Sequence, residues 1–342
     1  MRISTKAENP IVSVIMPVFN GEKYLKESVS SILNQTFDNF EFLIINDGST
    51  DNSLDIIKSF NDDRIILINN ETNLKIVTSL NKGLSRAKGK YIARMDCDDI
   101  SLPRRLEKQV AFLENNEDIG ICGSWISLIG EKENEIWQSP INPDEIKCRL
   151  LFHSTLFHPS VILRKQLLSI SGLKYDKKFL YAQDYNLWVE ASRITKISNI
   201  QEVLLLYRIH KQKISSKYRD IQRFNDSIIR RGQLQYLFDE INNENMDIHN
   251  AIGNWEIKCS KFFVEKSENW FKDIINANTE KKIYDEQKLF KLLFSKWLLI
   301  IKKSTKLGLW TWKKFINSQL TKKSKNDFKI NLKILIKCFL KK

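Results

Sequence analysis

The chain lacks the features that mark several large protein classes. Its 342 residues hold five scattered cysteines without a Cys-x-x-Cys pair, which argues against a disulfide framework and is typical of a reducing cytoplasm. No stretch approaches the roughly 18 apolar residues that a membrane-spanning helix needs. The apolar run at 11–18 is short, contains Pro17 and has no small-residue cleavage site after it. It predicts a first strand rather than a signal peptide.

Proline and glycine are scarce in the last third of the chain. Beyond Ser215 proline is absent, glycine is rare, and the pattern of apolar residues becomes helical. The 42% apolar content is enough for one large domain and an appendage. We therefore predict a first domain over residues 1–215 and a helical, lysine-rich region over residues 216–342.

Arginine is missing from the segment that carries the excess positive charge. The formal net charge is +14, yet residues 1–210 hold 26 Lys+Arg against 27 Asp+Glu. Residues 287–342 hold 16 lysines against one acid, Asp327. A nucleic-acid-binding protein would spread its charge over a reading surface and favour arginine. We expect no nucleic-acid partner, and a basic nucleic-acid-binding protein is the alternative from another class.

The lysines of residues 287–342 alternate with apolar and aromatic residues at helical spacing. Trp297, Trp310 and Trp312 are the largest of these apolar residues. The combination suits an anionic membrane surface, so we predict peripheral membrane binding through residues 287–342. The alternative is a set of helices that pack on the first domain with a solvated lysine face.

Short β-rich runs alternate with helical patterns through the first hundred residues. Strands are predicted at 11–16, 40–45, 64–68 and 91–95, with helices at 22–35, 54–60 and 76–87. This order predicts an α/β fold with a mainly parallel sheet and helices on both faces. The loops at 17–22, 46–51 and 96–102 would then meet at one rim, where open α/β sheets bind ligands.

Three carboxylates, Asp96, Asp98 and Asp99, follow the fourth predicted strand. They repel one another, and Mg²⁺ or Mn²⁺ would relieve that repulsion because both ions prefer oxygen ligands. The intervening Cys97 has no His or Cys partner at zinc-site spacing. The alternative is that Asp98 or Asp99 caps the helix that Pro103 opens.

An acid also ends the second predicted strand. A turn followed by a helix start explains residues 48–51, with Gly48 supplying the bend, but leaves Asp47 unexplained. A carboxylate at this rim can accept a hydrogen bond from the N3–H of a uracil or from a ribose hydroxyl. Asp47 is therefore a candidate nucleotide contact.

Six motifs, in order and in register, resemble the family 2 glycosyltransferases with the GT-A fold. They are VIMPVFNG at 14–21, NDGSTD at 46–51, LNKGL at 80–84 with AKGKYIARMDCDD at 87–99, HPSV at 158–161, AQDYNLW at 182–188 and YRIH at 207–210. The resemblance covers roughly residues 10–215. It implies a Rossmann-like GT-A domain that transfers a hexose-type sugar, with inversion, from a nucleotide donor such as UDP-sugar.

The family setting adds an acceptor and a location. It implies transfer to a hydroxyl of a saccharide or lipid-linked acceptor during bacterial cell-surface polysaccharide synthesis. The resemblance further implies dependence on Mn²⁺ or Mg²⁺. With the lysine-rich segment, it predicts a cytoplasmic enzyme that lies peripherally at the inner face of the cell membrane.

The resemblance assigns nucleotide-sugar binding to a set of rim residues. Phe19 would lie beside the uracil, where many members carry Tyr, so stacking is kept and a phenolic hydrogen bond is absent. Lys75 stands where some members direct a basic residue towards the nucleotide; a solvated lysine is the alternative. The complete predicted set is Pro17, Phe19, Asn20, Asp47, Lys75 and Asp96.

The metal ligands and the base are likewise implied by the resemblance. Asp98 is the predicted metal ligand, with Asp99 nearby and His210 either closing the metal shell or lying at the surface. Asp184 matches the general base that takes the acceptor proton. Many members have Glu-Asp where this chain has Gln183-Asp184, which leaves one candidate. The alternative for Asp184 is the N-cap of a helix at 185–194.

A sugar nucleotidyltransferase is the alternative within the enzymes. It could share the fold and the acidic site, but would carry a Gly- and Arg-rich loop soon after the first strand. Residues 17–23 contain one glycine and no arginine.

Overall fold

The computed structural model describes residues 9–210, 218–324 and 328–340. The chain divides into two compact units. The sheet unit comprises Met1–Ile146 and Ser154–Asn225, and the helical unit comprises Lys147–His153 and Asp226–Lys342. The predicted boundary near 215 lies in 211–217, outside the described residues, so the division into 1–215 and 216–342 stays a prediction.

The strands of the described residues belong to one sheet. They are β1 Val12–Val18, β2 Phe40–Asp47, β3 Ile65–Asn70, β4 Tyr91–Arg94, β5 Ile100–Ser101, β6 Ile119–Gly130, β7 Ile136–Trp137, β8 Ile162–Arg164 and β9 Lys196–Ile209. Their order is β3-β2-β1-β4-β8-β6-β9-β5, with β7 paired to β6.

The helices before residue 200 are interspersed with these strands. They are α1 Glu22–Leu33, α2 Ser53–Lys58, α3 Ile76–Arg86, α4 Arg105–Glu114, α5 Pro143–Leu150, α6 Gln166–Ser171 and α7 Gln183–Ala191, with short 3-10 helices at His158–Ser160 and Lys177–Phe179. The first three follow β1, β2 and β3 in turn, which is the alternation that the sequence predicts.

The first half of the sheet is parallel. β1 pairs in parallel with β2 and β4, and β2 pairs in parallel with β3. Val14 and Met16 of β1 pack in one core with the apolar face of α1. Gly83 of α3 lies against Ile15 and Ile45, and a Cβ there would approach Ile15 Cγ2 to 2.7 Å. Because neighbouring residues of a strand point to opposite faces, helices cover both faces. The predicted α/β class is confirmed.

The second half of the sheet is mixed. β8 is antiparallel to β4 and β6, β9 is parallel to β6, and the short β5 is antiparallel to β9. In that last pair Ile100 lies opposite Leu206. The segment between β4 and β5 is thereby held beside the end of β9, more than 100 residues later in the chain.

The last third of the chain is helical, as predicted. Its helices are α8 Arg219–Leu234, α9 Asn243–Gly253, α10 Lys261–Lys281, α11 Glu286–Lys303, α12 Leu309–Asn317, α13 Gln319–Lys323 and α14 Phe328–Phe339, with a 3-10 helix at Thr305–Leu307. Searched over the described ranges, none of the chain's helices combines the length and apolar character needed to cross a bilayer.

The apolar face of α11 forms part of the core of the helical unit. Leu289, Leu293 and Ile300 are buried there together with Trp297, whose Nε1 donates a hydrogen bond to Thr321 Oγ1 at 3.2 Å. The expectation that Trp297 supports membrane binding is therefore wrong. Helix α11 packs on other helices of the same unit, and packing on the first domain stays a prediction.

Candidate active site

The acidic segment forms a cluster at the carboxyl end of β4. One carboxylate oxygen from each of Asp96, Asp98 and Asp99 lies within 4.8 Å of the others. Asp99 is fully buried, whereas Asp96 and Asp98 are partly exposed. Helix α4 begins at Arg105 with Arg104 at its N-cap, so the alternative in which Asp98 or Asp99 caps this helix is wrong. The three carboxylates lie close enough together to share one cation.

The end of β9 meets this cluster. Asp99 Oδ1 accepts a hydrogen bond from the backbone N–H of Arg208 at 2.9 Å, and Arg208 Nε donates to the backbone carbonyl of Asp98 at 2.8 Å. The Arg208 guanidinium also pairs with Glu27 at 2.6 Å. His210 Nε2 lies 2.9 Å from Asp98 Oδ2. The structure thus brings together Asp98, Asp99 and His210, the three predicted metal ligands.

Arg94 is a cationic partner of the cluster that the sequence analysis did not single out. It is buried and forms an ion pair with Asp96. Burial acts to lower the pKa of Arg94, but the charge and hydrogen bond of Asp96, together with the charges of Tyr175 and Asp99, outweigh it, so the pKa is raised. The available signal was a basic residue at the end of an otherwise apolar strand. The positive charge of Arg94 therefore reduces the net negative charge of the three carboxylates.

The loops after β1 and β2 interlock at the same edge of the sheet. The Asn20 side-chain carbonyl accepts a hydrogen bond from the Thr50 N–H at 2.8 Å, and the Asn20 N–H donates to Ser49 Oγ at 3.1 Å. Pro17 lies within β1, and Phe19 is 44% exposed. Asn20 therefore shapes the rim, while the Phe19 ring is presented at its surface.

Asp47 is buried at the end of β2, where it orders the loop that follows β3. Its Oδ1 accepts hydrogen bonds from Asn70 Nδ2 at 2.8 Å and from the Leu74 N–H at 2.9 Å. Gly48 has a φ of 69°, and a Cβ there would lie 2.5 Å from the Thr72 carbonyl carbon. The bend assigned to Gly48 thus requires glycine. A contact between Asp47 and a base stays a prediction.

Three residues other than glycine, in or near the motifs, have left-handed backbone. Asn20 has a φ of 51°, Lys75 of 71° and Tyr181 of 70°. Such conformations are uncommon outside glycine and are found preferentially at functional sites. Lys75 is exposed and immediately precedes α3. Its contact with a nucleotide stays a prediction.

Asp184 lies in the first turn of α7. That helix begins at Gln183 with Ala182 at its N-cap, so the N-cap alternative for Asp184 is wrong. Burial raises the pKa of Asp184. The charge of Arg94 acts in the opposite direction, and that of Asp96 adds to the rise. Asp184 is therefore electrostatically coupled to the acidic cluster and is more basic than an ordinary aspartate.

A hydrogen-bonded polar pair also interacts electrostatically with Arg94. His158 Nε2 lies 2.7 Å from the Tyr175 hydroxyl, and the Tyr175 carbonyl accepts a hydrogen bond from Asn81 Nδ2 at 2.8 Å. Burial, followed by the charge of Arg94, lowers the pKa of His158 well below its usual range. His158 thus packs as the hydrogen-bond partner of the Tyr175 hydroxyl. Tyr175 lies outside the sequence motifs, so no sequence signal pointed to it.

The sheet edge therefore combines a cation-binding group with a separate carboxylate. Such a site can neutralise a phosphorylated ligand at one end and accept a proton at the other.

Comparisons with known proteins point in one direction. The family model described as "Glycosyl transferase family 2" matches residues 13–169. An uncharacterized glycosyltransferase of Haemophilus influenzae is 37% identical over 278 residues, which is 78% of this chain and 84% of the relative. A second relative is WfgD of Escherichia coli, a UDP-Glc:alpha-D-GlcNAc-diphosphoundecaprenol beta-1,3-glucosyltransferase. It is 31% identical over 217 residues, 62% of this chain and 83% of WfgD.

Among solved structures, TarS of S. aureus in complex with UDP-GlcNAc matches with a TM-score of 0.57. The match covers 86% of this chain and 89% of that chain at 19% identity. At this identity the likeness concerns the fold alone.

Proposed function

Because the chain belongs to glycosyl transferase family 2, we propose that it transfers a sugar from a UDP-sugar to a hydroxyl of a saccharide or lipid-linked acceptor during cell-surface polysaccharide synthesis. The observation that carries this proposal is the cluster of three carboxylates within 4.8 Å at the rim, electrostatically coupled to Asp184. The donor and the acceptor class are supported by WfgD, whose name states both.

The donor nucleotide is assigned to the rim loops. Phe19 offers an exposed aromatic face on which a uracil can stack. Pro17 and Asn20 shape that loop, and Asp47, Lys75 and Asp96 supply the polar contacts to base, ribose and phosphate. Phe19 lacks the hydroxyl that a tyrosine would supply, so stacking is its contribution to base binding.

The residues present fit a divalent cation. The cluster offers carboxylate oxygens, and His210 adds an imidazole nitrogen beside Asp98. This donor set suits Mn²⁺ or Mg²⁺. We assign Asp98 as the direct ligand, with Asp99 and His210 completing the site. When bound, the cation would neutralise the donor diphosphate and stabilise it as a leaving group.

Asp184 is assigned as the general base. It would take the proton of the acceptor hydroxyl as that oxygen bonds to C1 of the sugar, while the diphosphate departs from the opposite face. The configuration at C1 is then inverted. The raised pKa of Asp184 makes it a better proton acceptor than an ordinary aspartate, provided the pH keeps it ionised.

A lipid-linked acceptor would place the reaction at a membrane. We therefore propose a cytoplasmic enzyme that works at the inner face of the cell membrane. The sugar nucleotidyltransferase alternative gains no support, because the loop after β1 contains one glycine and no arginine.

The test is a panel of UDP- and GDP-sugars with the full chain, scored for nucleotide release with and without Mn²⁺. We expect UDP release from one UDP-sugar and, with a soluble acceptor, a product whose C1 configuration is inverted by NMR. Turnover of GDP-sugars alone would overturn the donor assignment. Formation of a nucleotide-sugar from a nucleoside triphosphate and a sugar phosphate would favour the nucleotidyltransferase.

A further inference from the structure

Helix α14 exposes a row of large apolar side chains to solvent. We name these residues the α14 stripe; they are Leu332, Ile336, Phe339 and the following Leu340, all between 45% and 74% exposed. Ile334 and Cys338, on another face of the same helix, are buried in the core of the helical unit. The helix is therefore anchored through one apolar face and carries a second apolar face without a covering element among the described residues.

Helix geometry makes the α14 stripe continuous. At 3.6 residues per turn its members fall within an arc of about 100°. Lys333 and Lys337 follow along one edge of this arc, and both are exposed. Residues 328–342 include five lysines and neither aspartate nor glutamate. An apolar arc bordered by lysines, without acids, is typical of helices that lie in the interface of an anionic bilayer.

Exposure of single apolar residues is ordinary, but a continuous row is not. One candidate occupant is a second copy of the chain. A two-fold contact would bring the same lysines of both copies to one interface, where they would repel each other. Lipid phosphates instead attract both lysines while the acyl region covers the stripe. Charge complementarity therefore selects the bilayer.

We propose that the α14 stripe inserts into the surface of an anionic bilayer, with Lys333 and Lys337 against lipid phosphates. The proposed membrane-binding surface is thus one face of α14 rather than the whole of residues 287–342, and it does not include Trp297. Only the biological role of this membrane binding rests on the proposed function, because a lipid-linked acceptor would be presented at the bilayer surface.

The test is sedimentation of the full chain with vesicles of phosphatidylglycerol and phosphatidylcholine, or of phosphatidylcholine alone. Leu332→Ser combined with Phe339→Ser should weaken binding at least about tenfold at any salt concentration, since it removes apolar contact. Lys333→Gln combined with Lys337→Gln should weaken binding about 30-fold at low salt, and the loss should shrink at high salt. The matched control Phe262→Ser, at another exposed aromatic residue of the helical unit, should bind like wild type.

Thermal melting should show that all variants are folded, because none of these side chains is buried. Equal vesicle binding by wild type and the Leu332→Ser/Phe339→Ser variant would overturn the proposal. So would a dimer in solution that this variant dissociates, since the occupant would then be a second copy. Vesicle binding that depends on the stripe, in a chain that turns over no nucleotide-sugar, would support this proposal and overturn the proposed function.

Discussion

Buried charges of the sheet unit have hydrogen-bond or ionic partners, whereas one buried lysine of the helical unit has no carboxylate partner in the part of the chain that the structure describes. Arg105, fully buried, donates to the Arg94 carbonyl at 2.7 Å, and Arg94 pairs with Asp96. In the helical unit Lys296 is 4% exposed, with its ammonium 4.4 Å from the Phe152 ring centre. No carboxylate partner of Lys296 occurs among residues 218–324. Buried charges thus stabilise the candidate site in the sheet unit, whereas the buried charge of Lys296 is expected to destabilise the helical unit.

The largest expected effect comes from the acidic cluster. Asp98→Asn should reduce metal-dependent turnover to background, because it removes a charged ligand while keeping the size of the side chain. The melting temperature should change little, since Asp98 lies at a partly exposed rim. The measurement is UDP release with Mn²⁺ together with a thermal melt. Asp118→Asn, which removes an exposed acid paired with Lys196, is the matched control and should retain wild-type turnover.

Asp184→Asn should preserve donor binding and reduce transfer by roughly 10²–10⁴-fold, the usual contribution of a general base. Burial raises the pKa of Asp184. As the pH is lowered, the kcat of the wild-type enzyme should therefore begin to fall at a higher pH than it would if the base were an ordinary aspartate. The variant should lack this acidic limb. Loss of UDP affinity with transfer from bound donor unchanged would place the base elsewhere.

Lys296→Met tests the buried charge of the helical unit. Burial lowers the pKa of Lys296 from 10.5 to about 7, so the folded chain binds fewer protons than the unfolded chain between these values. The destabilisation is therefore complete below pH 7 and disappears as the pH rises towards 10.5. The variant should be more stable by about 2 kcal/mol below pH 7, and this gain should shrink with rising pH.

Denaturant titration at several pH values measures this gain. Lys302→Met, which removes an exposed lysine of the same helix, should leave stability unchanged. A variant less stable than wild type at every pH would mean that the contacts of the ammonium with Phe152 and Trp255 outweigh its burial.

The smallest expected effect concerns Phe19, in the loop after β1 that we assign to the donor nucleotide. Phe19→Ala should weaken UDP binding about 3–10-fold, the range that one aromatic stack contributes. Phe19→Tyr should match or exceed wild type, because it keeps the ring and adds a hydroxyl. Calorimetric titration with UDP would measure both. Unchanged affinity in Phe19→Ala would remove this residue from the nucleotide site.

Features local in sequence could be predicted well. The parallel strands follow from apolar runs separated by amphipathic helices, and the carboxylate cluster occupies four consecutive residues. The pairing of Asp98 with His210 has no local signal, because it depends on β5 pairing with β9 far along the chain. Only the resemblance suggested it. The ion pair between Arg94 and Asp96 was missed because a basic residue at a strand end is usually solvated.

The helical unit was harder to predict for a physical reason. An apolar helix face opposite lysines has the same pattern whether protein or lipid covers it. Trp297 and Leu332 illustrate this: both lie on lysine-rich amphipathic helices, yet one is buried in the core and the other is exposed. Sequence periodicity identifies the apolar face, and only tertiary packing shows what covers it.

Chelation of the wild-type enzyme tests the central claim most directly. UDP release from the accepted UDP-sugar should fall to background in excess EDTA and recover when Mn²⁺ is added beyond the chelator, because the three carboxylates would then again hold a cation. Full UDP release in excess EDTA would contradict the assignment of Asp98, Asp99 and His210 to a metal site.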